Sequence, residues 1–350
     1  ALFIREKDLY LNTSKALNYD AGDIFNPNIL KPAPSGATTP TAAPAEDATN
    51  PAETNPNPTA TAATIAKGRQ LFLNTALSTN HQKSCASCHD PYKFFTDGRA
   101  KSLAFDNHHT VDRNAPSLFY SAYQYSQFWD GRAKTLEDQI RTVLHDPREM
   151  NADTTNLQRL GGIENIVTAL AAYVRSLHPQ NSRFDQYLQG NTEALSQSEI
   201  SGANLFLGKA QCATCHFIPL FNGLIPPYYE LTEYEALGTT STDPFGSAPK
   251  KPALSPDPGR YKTYPLPFLK GAFKTPTVRN SAQTAPYMHN GAIPNLQSLI
   301  EFYNKGGGAG LGLKVPDQTL PSTPLHLTKQ EEQNIILFIH SLTDDLARHE

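Results

Sequence analysis

Cys85, Cys88 and His89 stand in "SCASCHD", and Cys212, Cys215 and His216 stand in "QCATCHF"; these frames hold all four cysteines of the chain. Three chemistries use Cys-x-x-Cys. A dithiol–disulfide couple sits at a helix start and has no use for a histidine fixed directly after it. A structural zinc site takes four ligands, commonly from two pairs close enough in sequence to close one knuckle. Here the pairs lie far apart and each brings its own histidine. The third use is covalent haem c, in which two thiols add across the porphyrin vinyl groups and the next residue swings under the ring as the proximal iron ligand. Two such frames with no cysteine left over point to two covalently bound haem c groups.

The elements that must hold these frames recur around them. "GRQLFLN" from Gly68 precedes the first frame and "GANLFLG" from Gly202 precedes the second. Each reads as an amphipathic helix with Leu-Phe on its inner face. The first half closes with "IVTALAAYVRSL" (166–177) and the second with "NIILFIHSL" (334–342), both placing an aromatic three residues before Ser-Leu at helical period. Helix, haem-binding turn, loops and a closing helix is the plan of cytochrome c, here twice in the same order. The expected fold is therefore mostly α, with two cytochrome c-type domains, each with one covalent haem c, long loops and an N-terminal extension. The boundaries read as an extension at 1–31, a linker at 32–63, an N-terminal domain at 64–181 and a C-terminal domain at 182–350. The linker is Pro/Ala/Thr-rich and cannot bury a core. The Pro-rich stretch 219–270 lengthens the second domain, and little strand is expected.

A length of 350 residues suits two or three domains. The net charge is −3 with both signs spread along the chain, which argues against a nucleic-acid partner or an anionic membrane surface. No apolar run reaches the length of a transmembrane segment. The chain opens on "ALFIREKDLY", consistent with an exported protein whose leader has been removed. Because haem c is attached outside the bacterial cytoplasm, the frames themselves point to the periplasm.

The order of further motifs resembles the bacterial di-haem cytochrome c peroxidases and their MauG relatives across roughly residues 64–345. The carriers are "SCASCHDP" (84–91), "FTDGR" (95–99), "RNAPSLF" (113–119), "QFWDGRAKTLEDQ" (127–139), "PREM" (147–150), "CATCH" (212–216), "FKTPTVRN" (273–280), "TAPYMHNG" (284–291) and "EFYNKGG" (301–307). The resemblance implies that hydrogen peroxide reacts at the N-terminal haem. Heterolysis of peroxide needs an acid–base group on the distal side, so that one oxygen leaves as water. Glu149 matches the family's distal glutamate, and Gln139 its neighbouring amide. Classical members close this position at rest with a histidine. His108 and His109 lie on the corresponding loop, but Asp106 falls at the ligand's place, so a five-coordinate or water-bound resting state is expected. Trp129, the single tryptophan, matches the indole that lies between the two haems.

Classical members put a methionine on the far side of the C-terminal haem; Tyr303 falls at that position, as in MauG-type members. A thioether favours Fe(II), whereas a phenolate favours the higher oxidation states. Met288, His289 and an open site remain alternatives. The resemblance also implies one Ca²⁺ held by oxygens of Asn114, Thr284 and Pro286, and pairing of Arg113 and Arg279 with haem propionates. The expected function is a periplasmic peroxidase of MauG type. It uses hydrogen peroxide to form a high-valent dihaem state that oxidises an external electron donor, including a partner protein substrate. The alternatives are a conventional cytochrome c peroxidase drawing on a small cytochrome or cupredoxin, and a non-enzymatic dihaem electron carrier.

Overall fold

The computed structural model describes residues 60–225, 232–246 and 251–346. The expected extension at 1–31 and most of the expected linker lie outside the described residues. The helices are α1 (Ala62–Leu73), α2 (Leu136–His145), α3 (Thr154–Arg159), α4 (Ile163–Arg175), α5 (Arg183–Leu188), α6 (Gln197–Leu207), α7 (Leu296–Asn304), α8 (Gly307–Gly310) and α9 (Lys329–Ser341). One two-stranded antiparallel ribbon pairs β1 (Tyr234–Ala236) with β2 (Ala272–Lys274), with Tyr234 opposite Lys274. The fold is mostly helix and irregular loop, as expected. Helix α1 starts at Ala62, inside the stretch read as linker, because Thr61 caps it by accepting the Thr64 N–H at 3.2 Å.

In each half the helix before the cysteine frame crosses the closing helix. Helix α1 meets α4 at Gly68, where a Cβ would lie 2.0 Å from the Ala169 carbonyl oxygen. Helix α6 meets α9 at Gly202, where a Cβ would lie 1.9 Å from the Asn334 carbonyl oxygen. Glycine at these points lets two backbones touch. The Leu-Phe pairs then face inward. Phe72 packs edge-on against Phe95 and Tyr173 in the first core, and Phe206 against Phe221 and Phe338 in the second. Both helices of the second half begin with reciprocal capping boxes, Ser196 with Glu199 and Thr328 with Glu331. The stretch 182–199 that joins the halves forms α5 and the start of α6, and Phe184 anchors it in the second core. Leu220 and Leu224, just beyond the second frame, pack into the first core.

A second repeat follows each cysteine frame. Tyr120, Phe128, Gly131 and Thr135 recur as Asn280, Met288, Gly291 and Asn295 at unchanged spacing. Tyr120 and Asn280 have φ of 62° and 63°, and each opens a 3-10 turn. Phe128 and Met288 have φ of 67° and 72°, and Gly131 and Gly291 of 64° and 62°. Thr135 caps α2 and Asn295 caps α7. The bridges Gln127↔Ala133 and Tyr287↔Ile293 close the two loops identically. Tyr120 and Asn280 converge on one buried carboxylate: Tyr120 hydrogen-bonds Asp344, and Asn280 donates to it at 2.8 Å. Asp344 is pushed up by burial, with Arg279's charge pulling the other way.

Candidate active site

Each cysteine frame forms a 3-10 turn, Cys85–Ser87 and Cys212–Thr214, closed by the histidine N–H donating to the first cysteine's carbonyl at 2.9 and 3.0 Å. The four thiols are free. Burial pushes Cys85, Cys212 and Cys215 up to about 12 and raises Cys88. Buried and high in pKa, the thiols are held protonated in the unloaded chain. Each imidazole is oriented through Nδ1: His89 to the Phe95 carbonyl at 3.0 Å, and His216 to those of Phe221 and Pro276, both at 3.1 Å. Burial lowers the pKa of both rings and keeps them neutral. A neutral imidazole donating from Nδ1 keeps the Nε2 lone pair for a metal. Two thiols and one such imidazole are the donor set that covalent haem c requires, and the chain supplies it twice.

Cys212, Cys215 and His216 border a cavity of about 290 Å³ that reaches Gln139 and Trp129 of the first half. The three candidate ligands for the far side of the second haem border the same cavity. Burial raises the Tyr303 phenol well above the usual tyrosine range, reinforced by Cys212, Cys215 and Glu235. Among the described residues its hydroxyl has no hydrogen-bond partner. Met288 is approached by the Thr239 hydroxyl at 3.9 Å. His289 is already engaged: its ring stacks on Phe273 at 3.7 Å and its Nε2 lies 3.0 Å from the Ser255 hydroxyl. Burial lowers its pKa to about 4.

Glu149 follows α2 in a turn closed by its N–H to the Asp146 carbonyl at 3.1 Å. Burial and the Asp146 charge push its carboxyl up to about 7, against the pull of Arg132 and Arg148. It is close enough to Cys88 to raise that thiol. Gln139 lies on α2 and borders the cavity. The loop histidines are elsewhere. His109 is 83% exposed and pairs with Asp106 at 2.6 Å, while the same carboxylate accepts both the His108 and His109 N–H groups at 2.9 Å. Asp106 is thus a turn-forming residue, held well below its usual pKa first by the His109 side chain.

Trp129 donates its indole N–H to the Asn114 carbonyl at 2.9 Å, and Asn114 in turn donates its backbone N–H to the His289 carbonyl at 2.7 Å. Asn114, Thr284 and Pro286, expected as calcium ligands, all border the cavity. The Asn114 amide nitrogen is turned to the Arg99 carbonyl, which leaves its side-chain oxygen as the remaining donor. The two arginines are paired within the protein. Arg279 makes a bidentate pair with Asp185 at 2.9 and 2.6 Å, and Arg113 binds Asp257 at 2.7 and 2.9 Å and Asp130 at 2.7 Å. Arg–carboxylate forks so deeply placed satisfy both charges at once.

Several site residues escaped the sequence reading. Lys274 is half-buried, donates from Nζ to the Ser126 carbonyl at 2.9 Å, and has its pKa lowered to about 8 by desolvation. Glu233 and Glu235 lie with the Cys215 thiol inside 4.8 Å of one another. Burial, then Glu235, pushes Glu233 up to about 7. No motif announces these residues, since strand pairing and a long loop bring them in.

A family model described as di-haem cytochrome c peroxidase matches residues 62–163. The cytochrome-c peroxidase IdrP2 of Denitromonas iodatirespirans is 31% identical over 79% of this chain and 81% of its own length. IdrP1 of Pseudomonas sp. (strain SCT) is 32% identical over 80% of each. The chain belongs to the di-haem cytochrome c peroxidase family. It is thereby a haem-dependent peroxidase, and the alternative of a non-enzymatic carrier is set aside. The family also takes in the methylamine utilization protein MauG of Methylorubrum extorquens, 28% identical over 84% of this chain and 83% of its own length. Among solved structures, a MauG-like protein associated with microbial copper homeostasis superposes with a TM-score of 0.68 at 29% identity, covering 83% of this chain and 91% of that one. The diheme peroxidase BthA from Burkholderia thailandensis superposes with a TM-score of 0.62 at 25% identity, covering 81% and 86%. Among the described residues no helix is long and apolar enough to cross a membrane.

Proposed function

We propose that the chain is a periplasmic peroxidase of MauG type, with one covalent haem c in each of the domains 64–181 and 182–350. Bound haem supplies irons that take up peroxide and hold its oxidising equivalents. Cys85, Cys88 and His89 hold the first, and Cys212, Cys215 and His216 the second. Glu149 takes the proton from the inner oxygen of hydrogen peroxide and returns it to the outer oxygen, which leaves as water. Gln139 orients the peroxide by hydrogen bonding. Trp129, fixed by Asn114, conducts between the two halves, and Asn114, Thr284 and Pro286 hold one Ca²⁺ that rigidifies the same junction. Tyr303 would hold the second iron through its phenol oxygen. The product equivalents pass to an external donor, including side chains of a partner protein.

One observation carries this reading. The Tyr303 hydroxyl is unpartnered among the described residues and shares its cavity with Cys212, Cys215 and His216, while the repeat sets apolar Val143 at the matching place in the first half. An oxygen ligand on one side and no ligand on the other is the asymmetry a peroxide-reacting dihaem centre needs. The test is Tyr303→Met. The ferric wild type should lack the weak near-infrared band of methionine ligation at about 700 nm, and the variant should gain it. A wild-type protein that already shows that band overturns the assignment.

A second reading is a conventional cytochrome c peroxidase fed by a small cytochrome or cupredoxin. Met288 favours it, because this thioether borders the same cavity. Its mark is a peroxide reaction that starts only after half-reduction.

A further inference from the structure

The loop 254–270 gathers five of the seven large apolar side chains that are exposed among the described residues. Leu254, Tyr261, Tyr264, Leu266 and Phe268 are 39%, 36%, 43%, 48% and 57% exposed. Exposed large apolar groups gathered on one loop mark an interaction site more often than chance. The charges among them are mostly positive. Lys262 and Lys270 are exposed, and the one acidic residue of the loop, Asp257, is taken up by Arg113. The loop therefore combines exposed apolar side chains with exposed lysines, on a chain whose overall charge is −3.

Behind this face lies a stack that runs to the junction of the halves. The Arg260 guanidinium lies 4.5 Å from the Tyr264 ring centre on one side and 3.8 Å from the Tyr234 ring centre on the other. Its NH1 group donates to the Asp130 carbonyl at 2.9 Å, next to Trp129. The Tyr234 hydroxyl rests on the same turn: a Cβ at Gly131 would fall 2.0 Å from it. Across the ribbon, Lys274 pairs with Tyr234 and donates its backbone N–H to the Trp129 carbonyl at 2.7 Å. Nothing in the peroxide chemistry needs a guanidinium held between two tyrosines, yet the stack spans from an exposed ring to the turn that carries the inter-haem indole.

We propose that the 254–270 loop docks a small redox protein whose exposed cofactor edge is apolar and rimmed by acidic side chains, and that Tyr264, Arg260 and Tyr234 conduct its electrons to the Trp129 turn. The donor is oxidised by one electron per encounter. Two such electrons, with two protons from solvent, reduce one hydrogen peroxide to two waters, so the balance closes on the family's own reaction. The stack needs to lose no proton, because the electron crosses packed rings and the charged group between them by tunnelling. This inference rests on the peroxidase reading and names the partner class for it.

The test uses the haem-loaded full chain, with reduced plastocyanin, an acidic cupredoxin, as probe and reduced cytochrome c, whose rim is basic, as the charge-reversed control. Binding is read from line broadening of isotope-labelled plastocyanin, and turnover from its oxidation by peroxide. The double variant Lys262→Glu with Lys270→Glu should abolish the broadening and raise KM for plastocyanin at least about tenfold at low salt, an effect that high salt erases. Tyr264→Ala should lower kcat while leaving the peroxide-induced spectrum of the donor-free protein unchanged. Unaltered broadening and KM in the charge variant, or equal service from cytochrome c, overturns the proposal. So does a concentration-dependent dimer dissolved by the same charge changes, which gives the face to a second copy. Loss at Tyr264→Ala confined to the small aromatic donor ABTS overturns it too, by giving the patch to small molecules. A wild-type protein without any peroxide-induced spectrum strikes the peroxidase reading instead, and is seen before a donor is added.

Discussion

Val143 and Tyr303 occupy the same place in two copies of one motif, counted from the caps Thr135 of α2 and Asn295 of α7. Between each cap and its helix position the backbone follows the same course, and the loops before the caps share their positive-φ residues. One copy offers a phenol to its cavity, and the other offers only a branched hydrocarbon to its core. Supplying a ligand at Val143 should therefore remove the asymmetry. Val143→Met, which keeps the site apolar but enlarges the side chain at an overpacking cost of about 1–3 kcal/mol, is expected to slow the reaction with peroxide strongly by closing the open position. Stopped-flow mixing with peroxide measures it.

Glu149 sets the pH dependence of the same step. Its carboxyl is pushed up to about 7 by burial and by Asp146. As the base that accepts peroxide's proton it must start ionised, so the rate constant for peroxide should rise with pH through about 7 and level off above. Glu149→Gln should flatten the profile and lower the plateau by about 10² to 10⁴. For stability the sign is opposite. A carboxyl raised in the folded state favours folding below its ordinary pKa, and that contribution is lost as pH rises through about 7.

Trp129→Phe removes the donor to the Asn114 carbonyl. The ring's bulk stays, so the cost in folding free energy should be about 1 kcal/mol, measured by urea unfolding of the haem-loaded chain. Optical change in the second half after peroxide should lag behind that in the first, where the wild type shows both together.

Among the described residues, Asp185 is the one carboxylate that hydrogen-bonds the buried Arg279 guanidinium. Burial alone would raise its pKa, but the Arg279 charge and hydrogen bonds prevail and lower it. Asp185→Ala should destabilise the chain by about 3–5 kcal/mol by stranding the cation, whereas Arg279→Met combined with Asp185→Leu should recover most of that loss. The pair's contribution is present above the ordinary carboxylate pKa and disappears as pH falls through the lowered one.

Much of this site could be read before any coordinates. Cysteine chemistry is local, so the frames at Cys85 and Cys212 announce the haems, and the Leu-Phe helices announce their crossings through period alone. Glu149, Gln139, Trp129 and Tyr303 came from motif order; the last three border one cavity, while Glu149 lies in the turn after α2. The second repeat stayed hidden because it keeps backbone conformation more than side chains: Tyr120 and Asn280 share a φ and a place in the turn but not a residue type. Arg113 and Arg279 were read as propionate partners because a guanidinium fork fits any carboxylate, and sequence spacing does not announce the ion pairs they make with Asp257 and Asp185. The Tyr264–Arg260–Tyr234 stack draws on a Pro-rich loop without periodicity, which offers no signal of where it folds back.

The most direct measurement is the absorption spectrum of the fully ferric, haem-loaded protein on adding one equivalent of hydrogen peroxide, with no reductant present. An open first site and an oxygen-closed second site predict an immediate spectral change that consumes the peroxide and decays only when a donor is supplied. A spectrum that stays unchanged until one electron per molecule has been added would contradict the account.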